Sequence, residues 1–219
     1  MKKLIIIGTG DYAEMALRYI SRDGEVEVVA FTVERDFLSS DDFQGLPVVP
    51  FEDLEEHYPT GDHIVIAGIG PNQVNTIRER LFNEAVVKGY EAFTFISSRA
   101  NVWSEDSVGE GSFVFDGVTI EPEAVIGKNT VLWSNAVVAH HSTIGDHCFL
   151  APGASVSGRI VVKDNCFLGI NCTLRDNITV AEKCIIGGGA VIKKDTRAGE
   201  VYSARPADRL DKNSLSTKV

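Results

Sequence analysis

From Val102 to Ile192 every sixth residue is Val, Ile or Leu. Val102, Val108, Val114, Ile120, Ile126 and Leu132 open the series, and it runs without a slip through Val138, Ile144, Leu150, Val156, Val162, Leu168, Leu174, Val180, Ile186 and Ile192. An amphipathic α-helix repeats near 3.6 residues and a half-buried strand repeats every two. A strict period of six fits neither. It is the pattern of a parallel β-helix, in which short strands stack coil upon coil. One buried aliphatic side chain contributes roughly 1.5–3 kcal/mol, against roughly 1–2 kcal/mol of backbone entropy for each ordered residue. A single coil therefore does not hold by itself, and the stacking of many coils is what makes the prism stable.

A second phase lies four residues after the first and is mostly small: Ser112, Ala124, Thr130, Ala136, Ser142, Cys148, Ala154, Cys166, Cys172, Cys184, Ala190 and Thr196. These residues suit tight inward corners, where a larger side chain would clash. All four cysteines fall in this phase, which reads them as small buried hydrophobes rather than as a disulfide pair or a metal site.

The first half of the chain has a different rhythm. Residues 4–7 are an apolar run, followed by Gly8-Thr9-Gly10-Asp11-Tyr12-Ala13 and then a helical stripe of Ala13, Leu17 and Ile20. Strand, glycine turn and helix in that order form a phosphate-binding arrangement: the glycines let the backbone approach a ligand, and the helix start offers free N–H groups. Further strands are expected near 26–32, 63–69 and 91–96, with a helix carrying Val74, Ile77 and Leu81 after Gly68-Ile69-Gly70-Pro71-Asn72. About 97 residues are short for a complete dinucleotide-binding domain but sufficient for half a doubly wound sheet holding one nucleotide. The expected organisation is an α/β Rossmann-like domain over 1–97, an all-β parallel β-helix over 98–207 and a polar tail over 208–219.

Composition adds limits. The net charge of −10 among 219 residues argues against nucleic acid as a partner. The opening MKKLIIIGTG is too short in its apolar part for a signal peptide, and no apolar run is long enough to span a membrane. A cytoplasmic protein with no membrane partner is expected.

Hexads such as IGKNTV, IGDHCF, LGINCT and IGGGAV resemble those of the hexapeptide-repeat acyltransferases. With the preceding Rossmann-like half domain and the phrase GLPVVPFEDL (45–54), the chain is similar over most of its length to the nucleotide-sugar acetyltransferases of bacterial surface-glycan pathways, such as sialic-acid, bacillosamine and O-antigen biosynthesis. The resemblance implies a left-handed parallel β-helix, a homotrimer, acetyl-CoA bound between neighbouring subunits, and a UDP-, dTDP- or GDP-linked amino sugar on the N-terminal domain. It places Gly8, Gly10, Asp11, Tyr12, Gly70 and Asn72 at the substrate. Two departures bear on nucleotide identity. Asp11-Tyr12 stands where the family often has Gly-His, and Thr32-Val33-Glu34-Arg35 stands where it often has acidic residues.

Three of five histidines lie close together: His140, His141 and His147. Acetyl transfer to an amine needs a base as the tetrahedral intermediate forms, and histidine suits it because its pKa lies near neutrality. The family's catalytic histidine maps onto His140. Family members often follow it with Glu, which orients the ring, where this chain has His141. A second family histidine that contacts the acyl group falls at Phe149, and His147 is a candidate substitute. Gly153, Gly158 and Gly169 would let the pantetheine arm approach the backbone, with the Gly158 N–H as a candidate carbonyl anchor. Lys193, with Lys194, would meet CoA phosphates. No metal is expected. The leading reading is an acetyl-CoA-dependent N-acetyltransferase transferring directly to the sugar. O-acylation at the same site stays open, as does a non-catalytic trimer scaffold or nucleotide sensor. A zinc enzyme of the γ-carbonic-anhydrase kind requires two histidines separated by four residues, whereas five or six residues separate His141 and His140 from His147.

Overall fold

The computed structural model describes residues 2–207. The polar tail expected over 208–219 lies outside them. The N-terminal part is a six-stranded sheet built from β1 (Lys3–Ile7), β2 (Val28–Val33), β3 (Asp42–Phe43), β4 (Leu46–Pro50), β5 (His63–Ala67) and β6 (Glu91–Ala92) in the order β3-β4-β2-β1-β5-β6. All pairs are parallel except the β3–β4 hairpin. Strand β1 is central and covered on both faces, so its run of apolar residues is continuous. Leu4 and Ile6 face one core and Ile5 and Ile7 the other. Helix α1 (Asp11–Asp23) buries Tyr12, Ala13, Ala16 and Ile20 and ends at Gly24 in the left-handed region. A short α2 (Leu54–His57) and α3 (Thr76–Val87) complete the layer structure.

The strand expected over 91–96 divides. Glu91–Ala92 closes the parallel sheet, whereas Phe95–Ile96 pairs with Phe113–Val114 and is the first rung of the β-helix. The helix therefore starts before residue 98. Val74 is not helical: Gln73, Val74 and Asn75 have φ of 49°, 53° and 66°, and α3 begins at Thr76.

From there on, two-residue strands stack at intervals of one coil into three parallel sheets. The first face runs from Phe95–Ile96 through Val131–Leu132 and Phe149–Leu150 to Val201–Tyr202. The second runs from Asn101–Val102 through Val137–Val138 to Val191–Ile192. The third runs from Val125–Ile126 through Thr143–Ile144 to Thr179–Val180. Every residue of the six-residue series ends one of these strands except Val108, which follows a 3-10 turn at Glu105–Ser107 and makes only a lone bridge to Ile126.

The small phase is buried, and it also holds hydrogen bonds. Ser112 Oγ donates to Gly127 O at 2.9 Å and accepts from Thr130 N–H at 3.0 Å. Thr130 Oγ1 does the same with Gly145 O and Cys148 N–H. Cys148 and Cys166 thiols donate to Lys163 and Ala181 carbonyls at 3.2 and 3.1 Å. The four cysteines are free and buried. Corners turn through a left-handed residue every six positions: Asn129, Asn135, His141, His147 and Asn165 among them, with glycine at Gly153 and Gly189. Asparagine tolerates this region best after glycine. Among the described residues no helix is long and apolar enough to cross a membrane.

Candidate functional site

The N-terminal domain covers the first face of the prism. Tyr12 of α1 packs against Phe113, Phe115, Trp133 and Phe149, with ring centroids 5.4–6.2 Å apart. Above this aromatic floor lies a cavity of about 570 Å³. Its walls come from both glycine turns at the carboxyl ends of β1 and β5, where ligands bind in open α/β sheets. Gly8, Gly10, Asp11, Tyr12, Gly70 and Asn72 all line it. The structure thus brings together every residue expected at the substrate.

Local geometry explains the glycines. Gly8 has φ of 112°, and a Cβ there would stand 2.8 Å from Gly68 O. Gly10 caps α1 without a side-chain acceptor or donor, and the space beside it is open. The first N–H groups of α1 are therefore available to an anion. The Tyr12 hydroxyl is buried without a hydrogen-bond partner, and burial pushes its pKa up.

Sequence reasoning missed Phe37 and Trp133, which also line the cavity, as do Glu34 and Phe149, singled out in the sequence only as departures from the family pattern. Phe37 is 71% exposed at its rim. The segment carrying it is tied down by ion pairs, Glu34 to Arg80 at 2.9 Å and Arg35 to Asp53 at 2.6 Å. Phe149 is part of the floor, packed against Phe167 and Trp133. An exposed aromatic just beyond β2 was the available signal for Phe37, but its sequence neighbours show no period.

His140 lies elsewhere. It follows Val138 on the edge between the second and third faces, the edge opposite the covered first face. Its ring is exposed, with Nδ1 3.1 Å from Nδ1 of His141 and the rings nearly perpendicular at 87°. Its backbone N–H donates to Glu121 Oε2 at 2.9 Å. Gly158 occupies the same corner one coil later, and a Cβ there would fall 2.7 Å from Cε1 of His140. The Gly158 N–H expected to anchor a carbonyl donates to Asp176 Oδ1 at 3.1 Å. Lys193 is exposed farther along this same edge.

Gly153 and Gly169 lie on a different edge, between the first and second faces. Gly153 takes the left-handed corner with φ of 69°. A Cβ on Gly169 would meet Gly188 N at 2.6 Å. Coil geometry alone accounts for both glycines.

His147 is on the third edge. It is 4% exposed, accepts or shares a hydrogen bond with Asn129 Nδ2 at 2.9 Å, and packs edge-on to Phe82 of α3. Burial lowers its pKa, against the opposing pull of Glu79 and Asp146. It does not join His140 and His141. Among the described residues no group of three His, Cys, Asp or Glu is placed to hold a metal ion.

The comparisons follow both domains. Residues 3–85 match the PglD N-terminal domain, and residues 123–158 and 159–194 match the bacterial transferase hexapeptide (six repeats). No curated sequence matches the chain closely enough to count as a relative. Among solved structures, PerB from Caulobacter crescentus, in complex with CoA and GDP-perosamine, is 27% identical with a TM-score of 0.80, over 92% of this chain and 93% of its own. The acetyltransferase domain of PglB from Neisseria gonorrhoeae FA1090 is 23% identical with a TM-score of 0.82, over 96% and 100%. WeeI from Acinetobacter baumannii AYE is 23% identical with a TM-score of 0.79, over 96% and 100%. In both of its domains the chain belongs to the hexapeptide-repeat acyltransferases whose N-terminal domain is of the PglD type.

Proposed function

We propose that the protein N-acetylates an amino sugar carried on a nucleoside diphosphate, using acetyl-CoA and His140 as general base. The carrying observation is the cavity. It joins a strand–glycine-turn–helix phosphate cradle to an aromatic floor, in a fold shared with an enzyme solved with CoA and GDP-perosamine. Diphosphate oxygens would take the free N–H groups at the start of α1, with the base toward Phe37 and the sugar over the floor.

A single chain does not complete this site. The cavity opens over the first face, while His140 stands on the opposite edge of the triangular prism. The reading therefore includes a homotrimer in which His140 of one copy meets the sugar held by the next. Gly158 and Lys193 would then line the CoA groove beside that histidine. His140 Nε2 takes a proton from the attacking amine as the nitrogen bonds to the thioester carbonyl, and the CoA thiolate leaves.

The test is incubation with acetyl-CoA and a panel of UDP-, dTDP- and GDP-linked 3- and 4-amino sugars, following free thiol and product mass. One substrate gaining an acetyl group, with a loss of about 10²–10⁴-fold in His140→Ala, is the expected result. Acetyl-CoA binding without transfer to any amine would instead favour a sugar hydroxyl as acceptor.

A further inference from the structure

His140 and His141 form a pair whose proton has only two places to sit. Their Nδ1 atoms are 3.1 Å apart, so one ring donates and the other accepts. If His140 accepts, its remaining proton is on Nε2 and that nitrogen is no base. If His140 donates, Nε2 carries the lone pair. Among the described residues Nε2 of His140 has no hydrogen-bond partner, whereas its backbone N–H holds the Glu121 carboxylate and so keeps that group off the ring.

We propose that His141 is a positioning residue that accepts the Nδ1–H of His140 and thereby fixes Nε2 as the basic nitrogen. This rests on the reading of His140 as general base. When the amine N–H bond breaks, the proton bonds to Nε2 of His140. The resulting imidazolium still donates Nδ1–H to His141, and a hydrogen bond with a charged donor is stronger than a neutral one. The lone pair of His141 Nδ1 is the acceptor throughout, and the second proton of His141 stays on its Nε2. A further proton on His141 Nδ1 would set two N–H groups against each other, so the arrangement requires that nitrogen to keep its lone pair.

The surroundings carry several charges. Glu121 binds the His140 backbone, and Asp176 binds the N–H of Gly158 beneath the ring. Glu123 and Arg159 hold the left-handed corner one coil before and one coil after His141. The Arg159 N–H donates to His140 O and the His141 N–H to Pro122 O. The pair is therefore bracketed by both signs of charge, and no carboxylate takes the ring Nδ1.

The fold itself supplies the variants. The left-handed corner position already carries Asn at Asn177 and Glu at Glu123 on this edge, and Lys at Lys183 on the edge of His147. His141→Asn and His141→Glu keep an acceptor beside Nδ1. His141→Lys offers only a donor and forces the other tautomer on His140. Nitrogen-15 shifts of the His140 ring, read on the full-length protein without substrate, report the tautomer directly. The wild type, Asn and Glu variants are expected to show Nδ1–H, and the Lys variant Nε2–H. At pH 7 the Lys variant should lose about 10²–10⁴-fold in kcat with KM for both substrates unchanged, while the Asn variant stays within several-fold of wild type.

Nε2–H on His140 in the wild type, or wild-type kcat in the Lys variant, would overturn the proposal. The expected tautomers in a protein that transfers no acyl group would uphold the pairing and remove only the acetyltransferase reading.

Discussion

Gly158 sets how closely His140 can lie against its own coil. Added to the backbone there, a Cβ would come 2.7 Å from Cε1 and 2.9 Å from Nε2 of the ring. Gly158 is not among the glycines with positive φ, so alanine suits its main chain and only the exposed imidazole must move. Displacing a reacting group by about 1 Å can cost roughly 10²-fold in rate. Gly158→Ala is expected to lower kcat by about that factor while its thermal melting curve overlays that of wild type. A matching loss of melting temperature would show that the glycine serves coil packing instead of seating the ring. Tyr12 gives the complementary case. The residue lines the cavity, while its hydroxyl is buried and unpartnered, and an unsatisfied buried polar group of that kind costs about 1–3 kcal/mol.

Among the ties between helix α3 and the prism, which include the Asn165–Glu79 hydrogen bond and the Phe82–His147 contact, Arg78 makes the most hydrogen bonds. Arg78 is fully buried, and its donors reach Asn75 Oδ1 at 3.0 Å, His147 O at 2.8 Å and Cys148 O at 2.9 Å, with Nε 3.4 Å from Asn129 O. It has no carboxylate partner among these contacts, and burial lowers its pKa to about 10. The guanidinium therefore stays charged at neutral pH and is stabilised by carbonyl dipoles. Arg78→Met would leave those carbonyls short of donors, at a cost of about 3 kcal/mol. Calorimetry should show a lower first transition as the N-terminal sheet detaches from the β-helix, and a single transition at the wild-type temperature would contradict this role. None of this contact was legible in the sequence. The six-residue series is strictly local and announced the prism by itself. The strand–turn–helix at Gly8–Ala13 likewise announced the cavity wall. Arg78 shows no pattern because its partners on the prism lie 51–70 residues away. The same holds for Phe37 and Trp133, which become cavity residues only once the sheet docks. The Ser, Thr and Cys of the small phase were legible as to size, but their hydrogen-bond ladder spans neighbouring coils and depends on the stacking register.

At the scale of the whole molecule, the two domains meet along a seam with an ion pair near one end, and that pair makes the seam sensitive to acid. Arg22 of α1 grips Asp116 of the β-helix through two hydrogen bonds of 2.8 Å and also holds Asp23. Ser97 Oγ donates to the same Asp116 carboxylate. The hydrogen bond from Arg22 holds both the Asp116 and the Asp23 carboxyls below the usual carboxylate range. A carboxyl whose folded pKa is depressed binds fewer protons in the folded state. Its stabilisation is then fully present above the unfolded pKa, near 4, and is lost as pH falls through the lower folded value. Arg22 and Asp116 remain partly exposed, at 33% and 24% of their side chains, so solvent screens the pair and about 1 kcal/mol is the appropriate scale. Asp116→Asn is therefore expected to melt slightly below wild type at pH 7. Between pH 4 and pH 2 it should lose less stability than wild type, because one of the two depressed carboxyls is gone and Asp23 still contributes. Thermal melts across that window check both the offset and the slope. Because the cavity lies between the same two domains, nucleotide-sugar affinity should weaken in the variant, and if acetyl-CoA binds at the far edge of the prism, as proposed, its affinity should not change. Parallel curves from pH 7 to pH 2 would mean that Asp116 contributes no acid-sensitive stability and that the seam rests on its aromatic floor and Arg78.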